Sequence, residues 1–410
     1  MKSELLTKLH KAIFLVCSVV IVALNSLQAQ ITTGELTGEI NTIQSAVPFL
    51  TITPDSRAGA MGDVGVATTP DISSQHWNVA KYAFIESEAG VALSYTPWLR
   101  KLIPDINLAY LVGYKRLDPS QTVSFSLRYF SLGNIIFTDI GGNPWGTYNP
   151  NEFALDAGYS RIFGQNISGG IAFRFIRSDL TSGQSVLGTD TKAGISVAAD
   201  IGTYYRKKIS IAGQNGNLAL GVNISNMGRK ISYTENQVSS FIPINMRIGS
   251  CLTTEIDDFN KFSLSFDMNK LLVPTPPIYY PDSLDENNEQ VIRYGKDPDV
   301  SVPLGMVRSF FDAPGVERSD GSRSVFLEEL HEITFSLGAE YWYRNQFAVR
   351  AGYFNEHVTK GNRKYYTMGI GLQLNIFSLD FAYLVPVYQN NPLANTIRFT
   401  LGFELGKSQL

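Results

Sequence analysis

Near the C-terminus, Ile397, Phe399, Leu401, Phe403 and Leu405 alternate with Arg398, Thr400, Gly402, Glu404 and Gly406, giving one apolar face and one face of polar residues and glycine. Successive side chains of an extended chain point to opposite sides, so this period of two predicts a strand lying between an apolar and a polar environment. The pattern recurs at Tyr366, Met368, Ile370 and Leu372, at Val123, Phe125, Leu127 and Tyr129, and at Phe262, Leu264 and Phe266. Runs of this kind predict fourteen strands, at 89–96, 106–116, 121–132, 152–162, 167–178, 192–205, 217–225, 244–256, 260–271, 332–344, 346–356, 364–375, 377–385 and 395–405. An even number of such strands is what a bacterial single-chain barrel uses, and the fold class follows: all-β, a transmembrane antiparallel β-barrel.

The connections give an independent check. Those after even-numbered strands are short, as at 117–120, 163–166, 257–259, 345 and 376, and those after odd-numbered strands are longer, up to the segment 272–331. Short turns on one side and long loops on the other are the habit of outer-membrane barrels, with the long loops extracellular. A soluble sandwich has no reason to sort its loops by parity. This phase places both chain termini on the periplasmic side. The one exception is 206–216, a longer connection than its position predicts.

Two regions stand outside the strand count. Residues 30–88 precede the first strand and are read as a hatch in the lumen or a periplasmic arm. The loop 272–331 opens on Pro274, Pro276 and Pro277, continues through an acidic tract, and contains the apolar Leu304, Met306, Val307, Phe310 and Phe311. A loop of this length is usually functional, and apolar residues within it suit a packed or partner-binding element. Residues 1–29 combine a basic start (Lys2, Lys8, Lys11) with the apolar run 12–24, too short to span a bilayer, and read as a cleaved secretory signal. The remaining domain is the barrel, 89–410.

Composition narrows the function. Removing the leader takes Lys+Arg from 34 to 31 and Asp+Glu from 37 to 36, so the formal net charge moves from -3 to -5, without the basic field that nucleic acid requires. Cys17 leaves with the leader and Cys251 has no partner for an internal disulfide. The glycines of Gly59-Ala60-Met61-Gly62-Asp63-Val64-Gly65 lack the spacing and the Lys-Ser/Thr of a phosphate loop and read as tight-turn residues. His76, His331 and His357 lack metal-ligand spacing, no G-x-S-x-G elbow occurs, and no cofactor is expected. His331 and His357 fall near the outer rim, where a Ser-His hydrolase is conceivable but a hydrated interface residue is the ordinary reading. Arg128, Arg174, Asp267, Glu340, Arg350, Asp380, Arg398 and Glu404 share the polar face of their strands; charges of both signs imply a paired network inside the barrel rather than an open selective pore.

The segment 47–84, VPFLTITPDSRAGAMGDVGVATTPDISSQHWNVAKYAF, resembles the PorV family, outer-membrane components of the type IX secretion system of Bacteroidota. The resemblance continues through LSYTPWLRKL (93–102), SLRYFSLGNIIFTDI (126–140), GAEYWYRNQFAVRAGYF (338–354) and NPLANTIRF (391–399), and covers nearly all of the chain after the leader. The family is similar in turn to the fourteen-stranded FadL-like barrels. Trp77, Asn78 and Ala80 match the Asn-Pro-Ala hatch motif of those barrels, with Val79 in the place of proline. The resemblance implies a non-enzymatic component of the outer membrane. It would dock on a Sov/SprA-type translocon, bind cargo through the C-terminal signal domain, and deliver it to a PorU-type sortase and attachment complex, in contact with outer-membrane lipid. The extracellular loops are the expected recognition surface, with Trp98, Leu99, Leu102 and Ile103 in the first and Phe310 and Phe311 in the long one as candidate anchors. The alternative is a FadL-like transporter of hydrophobic small molecules.

Overall fold

The computed structural model describes residues 40–406 except 104, 139–140, 182–184, 187–188, 212, 235–238, 287–288, 319 and 389–390; the expected leader and residues 30–39 lie outside these. Fourteen antiparallel strands close into one barrel: β1 (Ala89–Pro97), β2 (Asn107–Asp118), β3 (Gln121–Ser131), β4 (Asn151–Ile162), β5 (Ile167–Asp179), β6 (Gly194–Ile211), β7 (Gln214–Gly228), β8 (Asn245–Glu255), β9 (Asn260–Leu271), β10 (Thr334–Tyr343), β11 (Phe347–Asn355), β12 (Lys364–Leu374), β13 (Phe377–Pro386) and β14 (Ile397–Leu405). The first strand pairs with the last, Leu93 opposite Leu401, which leaves no edge. Phe125, Phe173, Leu264, Ile370 and Phe403 stand exposed on the outer surface, while Ser126, Arg174, Ser265, Asp267 and Thr400 are buried inside. An apolar outer belt over a polar interior is the arrangement of a membrane barrel.

The exception in loop parity disappears. Strands β6 and β7 pair out to Ile211 opposite Gln214, so the connection between paired residues shrinks to two positions. The sequence conceals this because Arg206, Lys207 and Lys208 break the alternation, and beyond Tyr205 the hairpin has lost the one-sided burial that imposes a period of two. Among the described residues four short hairpins decorate the long loops: Ile135–Thr138 with Pro144–Tyr148, Ser185–Val186 with Thr189–Asp190, Ile278–Leu284 with Gln290–Tyr294, and Val316–Glu317 with Arg323–Ser324.

The chain ahead of β1 runs through the barrel. Asn41 and Ala46 bond to Thr359 and Phe241, in loops at one end, whereas Glu88 bonds to Leu405 at the end of the short turns. The described chain therefore starts at the loop end; the N-terminus itself, which strand phase placed on the periplasmic side, lies outside the described residues. The direction of β1 is as expected; the segment before it simply doubles back through the lumen. Residues 47–85 form a plug of short helices, α1 (Ser56–Gly59) and α2 (Ser74–Trp77), with 3-10 turns at Pro48–Thr51 and Val79–Phe84. Their brevity leaves many backbone groups without helical partners, and the wall supplies them. Asp267 Oδ2 accepts from the N–H of Gly65 at 2.7 Å and of Val66 at 3.0 Å. Thr400 accepts from Ser56 N–H, Thr367 from Gly62 N–H, and Arg128 donates to Leu50 O.

Close approach demands glycine on both sides. Gly62 has φ +69°, and a Cβ on Gly352 opposite would lie 2.1 Å from Gly62 N. One on Gly221 would meet Val66 O at 2.2 Å. The motif dismissed as a phosphate loop is thus a packing device.

Ion pairs complete the join. Arg57 of the plug reaches Glu340 at 2.8 Å and Asp71 at 2.7 Å, and Glu340 also holds Arg350, which reaches Asp380 at 2.6 Å. On the opposite wall Arg174 lies between Asp156 and Asp200. Removing one member of a buried network strands its partners, at a cost of about 3 kcal/mol or more. Glu340→Gln is therefore expected to lower the denaturant midpoint for release of the plug, read by protease cleavage within 47–85, before the barrel itself unfolds.

Candidate functional site at the loop end

Above the plug the lumen widens into a cleft of about 540 Å³ open to the loop end. One side is the strip 42–53 leading into the plug; the other is built from the loop-end termini of β8 to β12. Trp77 and Asp63 of the plug form its inner wall, with the Trp77 indole fixed by donating to Asp55 Oδ1 at 2.7 Å. Phe354 and Tyr365 add aromatic surface, stacked on one another at 4.8 Å between ring centroids.

Arg247 carries the most pronounced chemistry in the cleft. It is 5% exposed, yet among the described residues no carboxylate lies within ion-pair distance of it. Its Nη1 makes only long contacts, 3.4 Å to His76 O and 3.5 Å to Ser225 Oγ, and the guanidinium lies 5.2 Å from the Trp77 ring centroid. Asn269 Oδ1, on the adjacent strand and also in the cleft wall, is buried without a partner. A buried cation with so few acceptors is poised to receive an anionic or carbonyl oxygen.

The rim is set by a cluster of buried charges. Helix α4 (Val325–His331) turns Glu328 and Glu329 inward, with Glu332 just after it. Lys270, at the end of β9, bonds Glu329 at 2.8 Å and Glu332 at 2.7 Å, while Lys360, from the loop between β11 and β12, bonds Glu328 at 2.6 Å and Glu332 at 3.0 Å. Glu329 and Glu328 also accept from the N–H groups of Ala313 and Gly315. Three carboxylates of this loop thus grip two ammonium groups, one on the barrel wall and one on a neighbouring loop, and the segment 272–333 is pinned over one side of the mouth.

The candidate anchors separate on inspection. Trp98 and Leu99 pack against the group of Phe354, Tyr365, Leu384 and Leu393 and so adjoin the cleft; Leu102 and Ile103 follow in the same turn and remain exposed. Phe310 and Phe311 lie away from the cleft, Phe310 over Lys270 and Phe311 over Lys296. Trp77, Asn78 and Ala80 are buried in the plug, where Asn78 donates to Val66 O and Thr203 O and accepts from Ala80 N–H. The side-chain cap on the 3-10 turn comes from Asn78, which is why valine serves at position 79. His331 and His357 stack face to face at 3.5 Å, and His357 Nδ1 is engaged by Thr359 of its own turn. Sequence reasoning passed over Arg247, although Met246, Ile248, Ser250 and Leu252 on the outer row place it inside.

The buried ionisable groups of the loop predict a pH dependence of its docking. Burial raises Asp312 to about 7 and raises Glu329 against the lowering pull of Lys270; burial, with His331 beside it, lowers His357 to about 4. From an ordinary carboxylate value of ~4 up to 7, the docked loop holds a proton that a released loop gives up, so docking weakens as pH rises through that window and levels off above it. His357 acts oppositely: its contribution is complete above ~6.5 and is lost as pH falls through 4. Between ~6.5 and 7 only the carboxyl effect remains. Asp312→Asn is expected to flatten that upper slope and to make 272–333 more resistant to protease above pH 7, measured as a pH series of nicking rates.

A family model described as type IX secretion system protein PorV matches residues 35–278, more than half of the chain. No curated protein matches it. Among solved structures, the Pseudomonas putida toluene transporter TodX aligns at 10% identity over 90% of this chain and 100% of its own, with a TM-score of 0.45. The Ralstonia pickettii toluene transporter TbuX gives 10%, 87%, 98% and 0.43, and a Pseudomonas aeruginosa FadL homologue 10%, 90%, 99% and 0.39. The family match, on a closed fourteen-stranded barrel with an apolar outer belt, makes this chain a member of the PorV family, an outer-membrane component of the type IX secretion system.

Proposed function

We propose that the protein binds secreted cargo at its loop end, through the cargo's C-terminal signal domain, while docked on the translocon, and hands it to the sortase and attachment complex without catalysing a reaction itself. The observation that supports this reading best is a cleft that leads nowhere: the plug lies beneath it, bonded to the wall on several sides, and Arg247 stands in it with no carboxylate within ion-pair distance among the described residues. A blind, partly charged cleft beside an exposed apolar turn is suited to holding a polypeptide segment. Leu102 and Ile103 supply apolar contact and Arg247 a charge-assisted hydrogen bond. Transport of hydrophobic molecules asks instead for an apolar passage from the loops toward the wall. The interior rows here carry ion pairs and hydrogen bonds to the plug.

The test is recovery of partners from the native outer membrane with a tagged protein in mild detergent. A very large barrel partner and cargo sharing a C-terminal domain are expected to co-purify. Losing one charge-assisted hydrogen bond costs about 1.5–3 kcal/mol, so Arg247→Gln combined with Leu102→Ser and Ile103→Ser is expected to cut cargo recovery roughly tenfold or more. The heat-modifiable migration of the folded barrel stays unchanged. Undiminished cargo, or stoichiometric fatty acid or hydrocarbon in place of cargo, overturns the reading.

A further inference from the structure

Helix α4 is amphipathic in the wrong sense for a helix facing water. Its carboxylates, Glu328 and Glu329, are buried against Lys360 and Lys270, whereas Phe326 is 74% and Leu330 43% exposed. The other helix of the same loop, α3 (Val302–Arg308), repeats the feature: Gly305 seats on Phe241 and Pro274, and the stripe Leu304, Val307, Phe311, with Phe310 beside it, points away from the protein. Exposed apolar clusters on this scale mark an interface.

The register of β9 fixes the height of this patch. Phe262, Leu264, Phe266 and Met268 alternate with the interior residues Ser263, Ser265 and Asp267, so Lys270 belongs to the outer row, and the Phe310 ring lies 5.8 Å from its Nζ. A strand rising ~3.3 Å per residue with a tilt of ~40° climbs roughly 20 Å from Phe262 to Lys270, close to the ~25 Å height of the apolar band of such barrels. Phe310, beside Lys270, thus stands at the upper margin of the belt, beyond Phe266 of the same outer row, which stacks on Phe335. Lys296 sits over Phe311 at 4.2 Å, a cation beside an aromatic ring as found at the headgroup level of membrane proteins.

We propose that α3 and α4 form an interfacial element whose outward apolar faces rest in the outer leaflet, so that the long loop is held by lipid from outside as well as by buried ion pairs from within. The occupant is lipid because the patch extends a surface that already faces lipid, at the height where the bilayer ends. This inference does not depend on the cargo reading. It assigns Phe310 and Phe311 to the membrane instead of to cargo.

The full chain, in a Cys251→Ala background and reconstituted in phospholipid bilayers, would carry nitroxide labels at Phe310→Cys, Phe326→Cys or Leu330→Cys. Leu264→Cys serves as the reference in the belt and Glu286→Cys as the reference in the exposed acidic tract; heat-modifiable migration confirms folding of each. The expected result is collision with oxygen favoured over a water-soluble nickel chelate at 310, 326 and 330, as at 264, with a several-fold excess over 286. Accessibility to the chelate equal to that at 286 overturns the proposal. Shielding from both reagents also overturns it, because the patch is then covered by protein, either a second copy or the end of another chain.

Discussion

A backbone that is neither helix nor strand, placed at the depth of a lipid bilayer, has no water to satisfy its amide groups, and the interior of this barrel is organised around that constraint. Asp267 meets two successive N–H groups of the plug, Thr400 and Thr367 meet others, and Arg128 meets a carbonyl. The polar faces of the strands are therefore less a water channel than a set of partners for a particular irregular chain. Glycines on both sides bring the two backbones close enough for these short side chains to reach.

The same logic governs the rim with charges in place of amides. Lys270 and Lys360 lie too deep to stay unpaired, and the carboxylates that neutralise them come from a loop of about sixty residues. Desolvated pairs of this kind contribute little net stability, but breaking them is costly, so they favour one placement of the loop over its many alternatives. The mouth is given a definite shape, and with it the cleft that holds Arg247.

How much of this was legible in the sequence follows from which physical rule each part obeys. The fourteen strands were readable because one face of each meets an apolar medium and the other a packed interior, which imposes a period of two. Where that asymmetry ends, past Tyr205, the reading failed by several residues. The plug has no period: its order comes from contacts with residues far along the chain, such as Ser56 with Thr400, 344 positions apart. Its path from the loop end was hidden for the same reason. Helix α4 eluded the ordinary rule because its charges face inward, and Arg247 because it is one inward arginine among several, alternation giving no sign of which of them line a cleft. The resemblance at 47–84 identified the family without revealing this geometry.

The plug also dictates an order of events in making the molecule. It threads the lumen lengthwise and is bonded to β14, through Ser56 and Thr400, at the seam where that strand meets β1, the last and first strands to be synthesised. A chain already sealed there would have to draw forty residues of folded turns through its own bore. A wall that wraps around the plug, with the seam closing last, avoids that passage and leaves this barrel with the stopper already inside.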